Sequence, residues 1–177
     1  MSSSNAFRAL CATLPLAASA CSTVVAGDFP PVCPQAAILR DAADVTRFRA
    51  AGTDLTDMVV DGRITGLSGK CALDAPKLLR TKLDVRLQLA RGPASTGRTA
   101  AVSYFVSVSK GQAILAKQVY PLVAQFPSNA DTIDLTAEEV DLVLPVDDST
   151  GGAAYSVVTG FQLTPAELAF NRQRGAR

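Results

Sequence analysis

The chain predicts an all-β fold: an antiparallel, immunoglobulin-like β-sandwich closed by a short C-terminal helix. Three observations carry this. Apolar residues recur with period two, most cleanly over Lys82 to Ala90. There Leu83, Val85, Leu87 and Leu89 share one face, while Asp84, Arg86 and Gln88 share the other. Runs of this kind, seven or eight in all, follow one another at near-regular spacing with turn-forming residues between them. A clear helix start appears only near the end, at Thr164-Pro165-Ala166-Glu167.

Taken in order, Ala36 to Arg40 is a short apolar run that suits a first strand. Asp41 to Phe48 fits one helical turn, and Ala51-Gly52-Thr53-Asp54 is loop chemistry. Met58, Val60, Gly62, Ile64 and Gly66 alternate with Val59, Asp61, Arg63 and Thr65. After the Lys82–Ala90 strand, residues 92–99 (GPASTGRT) form a polar turn. Ala101 to Ser109 is β-branched and aromatic. Lys110-Gly111 then turns the chain tightly into Gln112 to Tyr120. Pro121 suits a strand edge or a kink rather than the middle of a central strand, because it has no N–H to give a central ladder. Thr132 to Thr136 and Val140 to Val146 alternate again, Asp147 to Gly152 is a loop, and Ala154 to Leu163 is the last strand. There is no Trp, so the buried Trp of antibody domains is absent. The tail predicts a helix over Pro165 to Arg172. It carries a capping box at Thr164 and Glu167, Leu168 and Phe170 to dock, and Arg172, Arg174 and Arg177 at its positive end.

The N-terminus reads as an export signal. Met1 to Arg8 is polar and basic, Ala9 to Ala20 is apolar and uncharged, and Cys21 follows small residues. Twelve apolar residues are too few for a bilayer span, which takes about 20. Ala18-Ser19-Ala20-Cys21 resembles the bacterial lipobox, which implies cleavage before Cys21 and a diacylglycerol on its thiol. The same residues fit an ordinary A-x-A cleavage site. Ala18 stands where the lipobox usually has Leu. The expected organisation is a signal peptide at 1–20, a lipid-anchored tether at 21–34, and a sandwich domain with its helix at 35–177. Ser22, rather than Asp, after the cysteine implies the outer membrane in preference to the inner one.

Four cysteines sort by position. Cys11 leaves with the signal and Cys21 is the candidate lipid site. Cys33 and Cys71 then form an even pair in an oxidising compartment. A Cys33–Cys71 disulfide is expected; two separate buried thiols are the alternative. Losing Arg8 with the signal leaves equal numbers of basic and acidic residues, which disfavours a nucleic-acid binder. The charges are segregated: from Gln118 to Asn171 there are eight acids and no Lys or Arg. That segregation fits either a solvated acidic edge or a two-signed docking surface.

Three short motifs give a resemblance. Cys33-Pro34, Gly69-Lys70-Cys71 and the Gly160-Phe161-Gln162-Leu163-Thr164-Pro165 tail are similar to those of small lipoproteins of alphaproteobacterial cell envelopes. The resemblance covers most of the domain. It implies compartment and fold, and implies no activity.

Chemistry-bearing patterns are sparse. Histidine is absent, which removes the commonest general base and most zinc sites. Gly66-Leu67-Ser68-Gly69-Lys70 lacks the spacing of a phosphate-binding loop, and Cys-x-x-Cys does not occur. Glu138-Glu139 and Asp147-Asp148 are paired acids, but neighbours on a strand face opposite ways, and Asp147 to Thr150 lacks EF-hand spacing. The expectation is therefore an exported, lipid-anchored, non-catalytic interaction or structural module of the cell envelope. It would have no cofactor or metal and no nucleic-acid partner. It would meet the membrane through its lipid and an envelope protein through its surface, as an accessory subunit or assembly factor. The alternatives are a periplasmic small-ligand-binding domain or an inhibitor of an envelope enzyme.

Overall fold

The computed structural model describes residues 32–50, 52–147 and 151–175. Its strands are β1 (Gln35–Ile38), β2 (Asp44–Phe48), β3 (Met58–Ala75), β4 (Leu78–Arg91), β5 (Thr99–Lys110), β6 (Ala113–Gln125), β7 (Thr132–Thr136), β8 (Val140–Pro145) and β9 (Tyr155–Phe161). The helix α1 spans Pro165–Arg174. One sheet has the order β1-β9-β5-β6. The other has the order β2-β3-β4-β7, with β8 also on β4. β8 takes Leu78–Leu83 of β4 and β7 takes Arg86–Ala90. Because β3 fills the opposite edge of β4, β7 and β8 lie end to end as one broken strand. The pairings are antiparallel except one: β1 runs parallel to β9. The expected all-β, antiparallel-rich sandwich with a short C-terminal helix is present.

The inward faces follow the period-two pattern. Leu79, Leu83, Val85, Leu87 and Leu89 of β4 are almost wholly buried against Val102, Tyr104, Val106, Val108, Val157 and Phe161 of the other sheet. Burying each Leu or Val contributes roughly 1.5–3 kcal/mol. Gly62 on β3 permits a close approach: a Cβ there would stand 2.6 Å from Leu89, 2.9 Å from Val45 and 3.3 Å from the Phe161 ring. Thr159 is the polar member of this face, and its hydroxyl donates to the Phe105 carbonyl at 2.8 Å.

Three local outcomes differ from expectation. Asp41 to Phe48 is not a helical turn throughout: a single 3-10 turn at Arg40–Ala42 gives way to β2. The β3–β4 hairpin runs far beyond Gly66, through Ala75 and back from Leu78. Alternation fades there because Ser68 to Lys70 and Ala72 to Asp74 are exposed on both faces and carry no core signal. The helix continues two residues past Arg172, to Arg174. The β5–β6 turn forms where Lys110-Gly111 predicts it, with Gly111 at φ +58°, a region glycine enters without a Cβ clash.

Candidate functional site

The two flanks of the sandwich differ. On one flank β1, at the edge of its sheet, faces the free half of β3. A disulfide between Cys33 and Cys71 joins them, with Cα atoms 5.7 Å apart. This is the pairing expected from the cysteine positions. Cys21, the candidate lipid site, lies outside the described residues, as do the expected signal segment and most of the expected tether.

The opposite flank has no staple. β6 is the edge of its sheet and β7 the facing edge of the other. Between them lies an open cleft of about 540 Å³, lined by Leu122, Val123, Pro127, Ile133, Leu135 and Glu138 among others. Val123 is 73% exposed and Val119 39%. The free edge of β6 is interrupted in a specific way. The Ser103 carbonyl accepts from Gln162 N–H on the β9 side at 2.8 Å, so Ser103 and its register partner Pro121 form a non-hydrogen-bonded pair. Pro121 therefore turns its donor-less nitrogen toward the open edge. With Lys117 it guards the middle of the strand against continuous pairing. At the back of this flank Tyr104 and Tyr120 stack, ring centroids 5.2 Å apart and planes 18° apart. Burial, then the neighbouring Tyr120 and Glu138, push the Tyr104 hydroxyl up to about 12. It stays protonated at any physiological pH.

A second concavity lies under α1. Phe48 at the end of β2 meets Phe170 edge-on, centroids 5.2 Å apart, in a groove of about 450 Å³ that Ala50, Gly52 and Ala166 also line. Its polar rim is an ion pair: Arg47 Nε donates to Glu167 Oε1 at 2.8 Å, and Arg47 also donates to the Ala101 carbonyl at 2.6 Å. Glu167 completes the capping box with Thr164. Burial opposes its ionisation. The Thr164 N–H and hydroxyl and the Arg47 guanidinium outweigh that and hold the carboxyl below its ordinary value.

The helix is held by more than the docking residues read from sequence. Leu168 and Phe170 are half-buried; the buried residue of α1 is Asn171. Asn171 Nδ2 donates to the carbonyls of Asp41 at 2.9 Å and Asp44 at 2.8 Å. Arg174 donates to the Thr46 hydroxyl at 3.1 Å and stands 3.5 Å from the buried Asp44 carboxylate, which also faces Arg63 at 3.5 Å. Arg172 pairs with Asp41 at 2.9 Å. Arg177 lies outside the described residues. The tail arginines are thus structural ties and not only a dipole match. An Asn in the last helical turn carries no apolar signal, so pattern reading passes over it.

The paired acids do not converge. Glu139 bonds Lys82 at 2.6 Å, while Glu138 faces the β6–β7 cleft. Asp148 lies outside the described residues. Among the described residues no group of three or more His, Cys, Asp or Glu side chains gathers at one point. No described helix is long and apolar enough to cross a membrane. Comparison of the chain with protein-family models, curated proteins and solved structures yields no match.

Proposed function

We propose that the chain is an exported, lipid-anchored interaction module of the bacterial cell envelope, which offers the β6–β7 flank to a protein partner. The single observation that carries this reading is the asymmetry of the sandwich. One flank is covalently stapled through Cys33 and Cys71, while the other keeps an apolar cleft with Val119 and Val123 exposed on a 13-residue edge strand. A strand or loop of a partner entering there covers apolar area and pairs with β6 on either side of Pro121. The leader supports the compartment. Its apolar segment ends at Cys21, and Ser22 favours the outer membrane in the lipoprotein pattern. The disulfide agrees with an oxidising compartment. The module is read as non-catalytic, an accessory subunit or assembly factor.

Photo-crosslinking from position 123 in intact cells tests this. A single discrete adduct that disappears when Val119 is changed to Asp supports the proposal. Equal, diffuse labelling from position 123 and from Thr96 at the end of the sandwich overturns it. A second reading, small-ligand binding, rests on the Phe48–Phe170 groove beneath α1. A small molecule retained through purification and lost in Phe170→Asp favours it.

A further inference from the structure

The chain enters the domain at one end of the sandwich, and that end has a composition of its own. Val32, the first described residue, accepts at its carbonyl from Gly152 N–H at 2.9 Å, and a Cβ at Gly152 would stand 2.6 Å from Leu79. Leu79 pairs with Leu73 two residues from the β3–β4 turn at Pro76-Lys77. The β5–β6 turn shares this end, since Lys110 pairs with Tyr155, and the Tyr155 hydroxyl donates to the Pro145 carbonyl beside Leu78. Both long hairpins therefore point their tips the way the N-terminal segment arrives.

Two observations mark these tips. The first is apolar exposure. Leu73 is 58% exposed, Ile114 73% and Leu115 56%, and Val32, where the described chain begins, is 61% exposed. The second is lysine. The five lysines of the chain, at 70, 77, 82, 110 and 117, all lie on the two hairpins of this half, and the opposite end is served by arginines. The nearby acids are largely spoken for. Arg80 bonds Asp74 at 2.9 Å and Asp141 at 2.5 Å, and Lys82 bonds Glu139. Among the described residues Lys70 and Lys77 enter no ion pair. The ammonium groups of Lys110 and Lys117 lie over aromatic rings, those of Tyr155 and Phe105. Asp147 follows β8 at the same end and tempers the charge without cancelling it.

Apolar side chains at hairpin tips ringed by lysine are the chemistry of an anionic lipid surface. We propose that this end rests on the bilayer, with Leu73, Leu78, Ile114 and Leu115 entering the headgroup region and Lys77 and Lys110 on lipid phosphates. The proposal rests on the reading of Cys21 as a lipid anchor. The 11 residue-to-residue steps from Cys21 to Val32 reach roughly 36–40 Å at most, so the anchor keeps these tips near the membrane at high local concentration. Weak contacts then suffice to hold an upright pose. That pose leaves the β6–β7 flank facing sideways along the membrane and α1 at the far end.

The test places a polarity-sensitive fluorophore on the full chain at Gln112→Cys, in the β5–β6 turn, or at Thr96→Cys, at the opposite end. The lipidated protein is reconstituted in phosphatidylglycerol-rich vesicles carrying lipid-borne quenchers. Quenching at position 112 and not at 96, with the docked fraction falling about tenfold or more in Lys77→Glu/Lys110→Glu or at high salt, supports the inference. Equal and weak quenching at both sites in protein that is still vesicle-bound overturns it while leaving the anchor intact. Absence of lipid on Cys21 by mass spectrometry overturns the anchor, and the docked pose with it. Hydrogen exchange of the unlabelled chain on the same vesicles gives a reading free of the added cysteines. Protection at 73–78 and 110–115 is expected, and unchanged exchange there overturns the proposal.

Discussion

The side-chain amide of Asn171 bonds the backbone carbonyl of Asp44 at 2.8 Å, tying the last helix to the second strand across 127 residues of sequence. A ten-residue helix is marginal alone in water. It persists because the amide satisfies two carbonyls near the start of β2, while Phe170 packs on Phe48. Asn171→Leu keeps the size and removes both bonds, leaving buried acceptors unpaired. It is expected to lower stability by about 2–4 kcal/mol in urea unfolding. Phe170→Ala is expected to cost about 1–2 kcal/mol, since its ring is only half-buried.

The disulfide closes a loop of 38 residues. The chain-entropy model assigns such a loop roughly 4 kcal/mol. Cys33→Ala/Cys71→Ala is expected to lose about 3–4 kcal/mol, seen as a fall in the urea midpoint that added reductant does not deepen. Reductant should bring the wild-type protein down to the same midpoint.

Glu167 gives a sign to acid sensitivity. Its carboxyl is held below the ordinary value in the folded state, so its stabilisation is present above the unfolded value near 4.5 and lost as pH falls through the lower folded one. Glu167→Gln is expected to flatten the stability profile at acid pH and to cost little below pH 3. A variant whose acid profile matches the wild type would assign the sensitivity to other carboxylates.

Tyr104 acts at the other extreme. Burial raises its hydroxyl from 10.0 to about 12, so its contribution is whole below pH 10 and lost as pH rises toward 12. Tyr104→Phe is expected to remove that alkaline decline, read as unfolding at fixed urea between pH 9 and 12.

Thr81 faces the core at 6% exposure, and its hydroxyl finds no hydrogen-bond partner among the described residues. Replacing it with the near-isosteric Val removes an uncompensated polar group. Thr81→Val is expected to gain roughly 1 kcal/mol in urea unfolding.

The fold was largely legible because sandwich strands write themselves in period two: Leu83 to Leu89 face inward as their alternation requires. The capping box located α1, since Thr164 and Glu167 are a local pair needing no tertiary knowledge. The disulfide followed from counting cysteines. What escaped was set by partners distant in sequence. β2 reads as a turn because Asp44 and Thr46 are buried polar residues, which Arg63, Arg174 and Asp61 make tolerable from distant parts of the sequence. The distal β3–β4 hairpin escaped because its strands leave the core and stop alternating. The β6–β7 cleft escaped because it arises from which strands end up as edges, a property of topology that local pattern does not hold.

The parallel pairing of β1 with β9 sets the order in which this domain can be completed. β1 is the first strand to be synthesised, yet its ladder partner begins at Tyr155, near the opposite end of the chain. Until then residues 35–38 have no sheet to join. The β3–β4 hairpin precedes β5, β6 and β9 in the chain, so Cys71 is available to Cys33 before those strands are complete. A cross-link made at that moment parks the waiting first strand beside the half-built second sheet. The last strand then closes onto a template already in position, and a search over most of the chain becomes a local docking event.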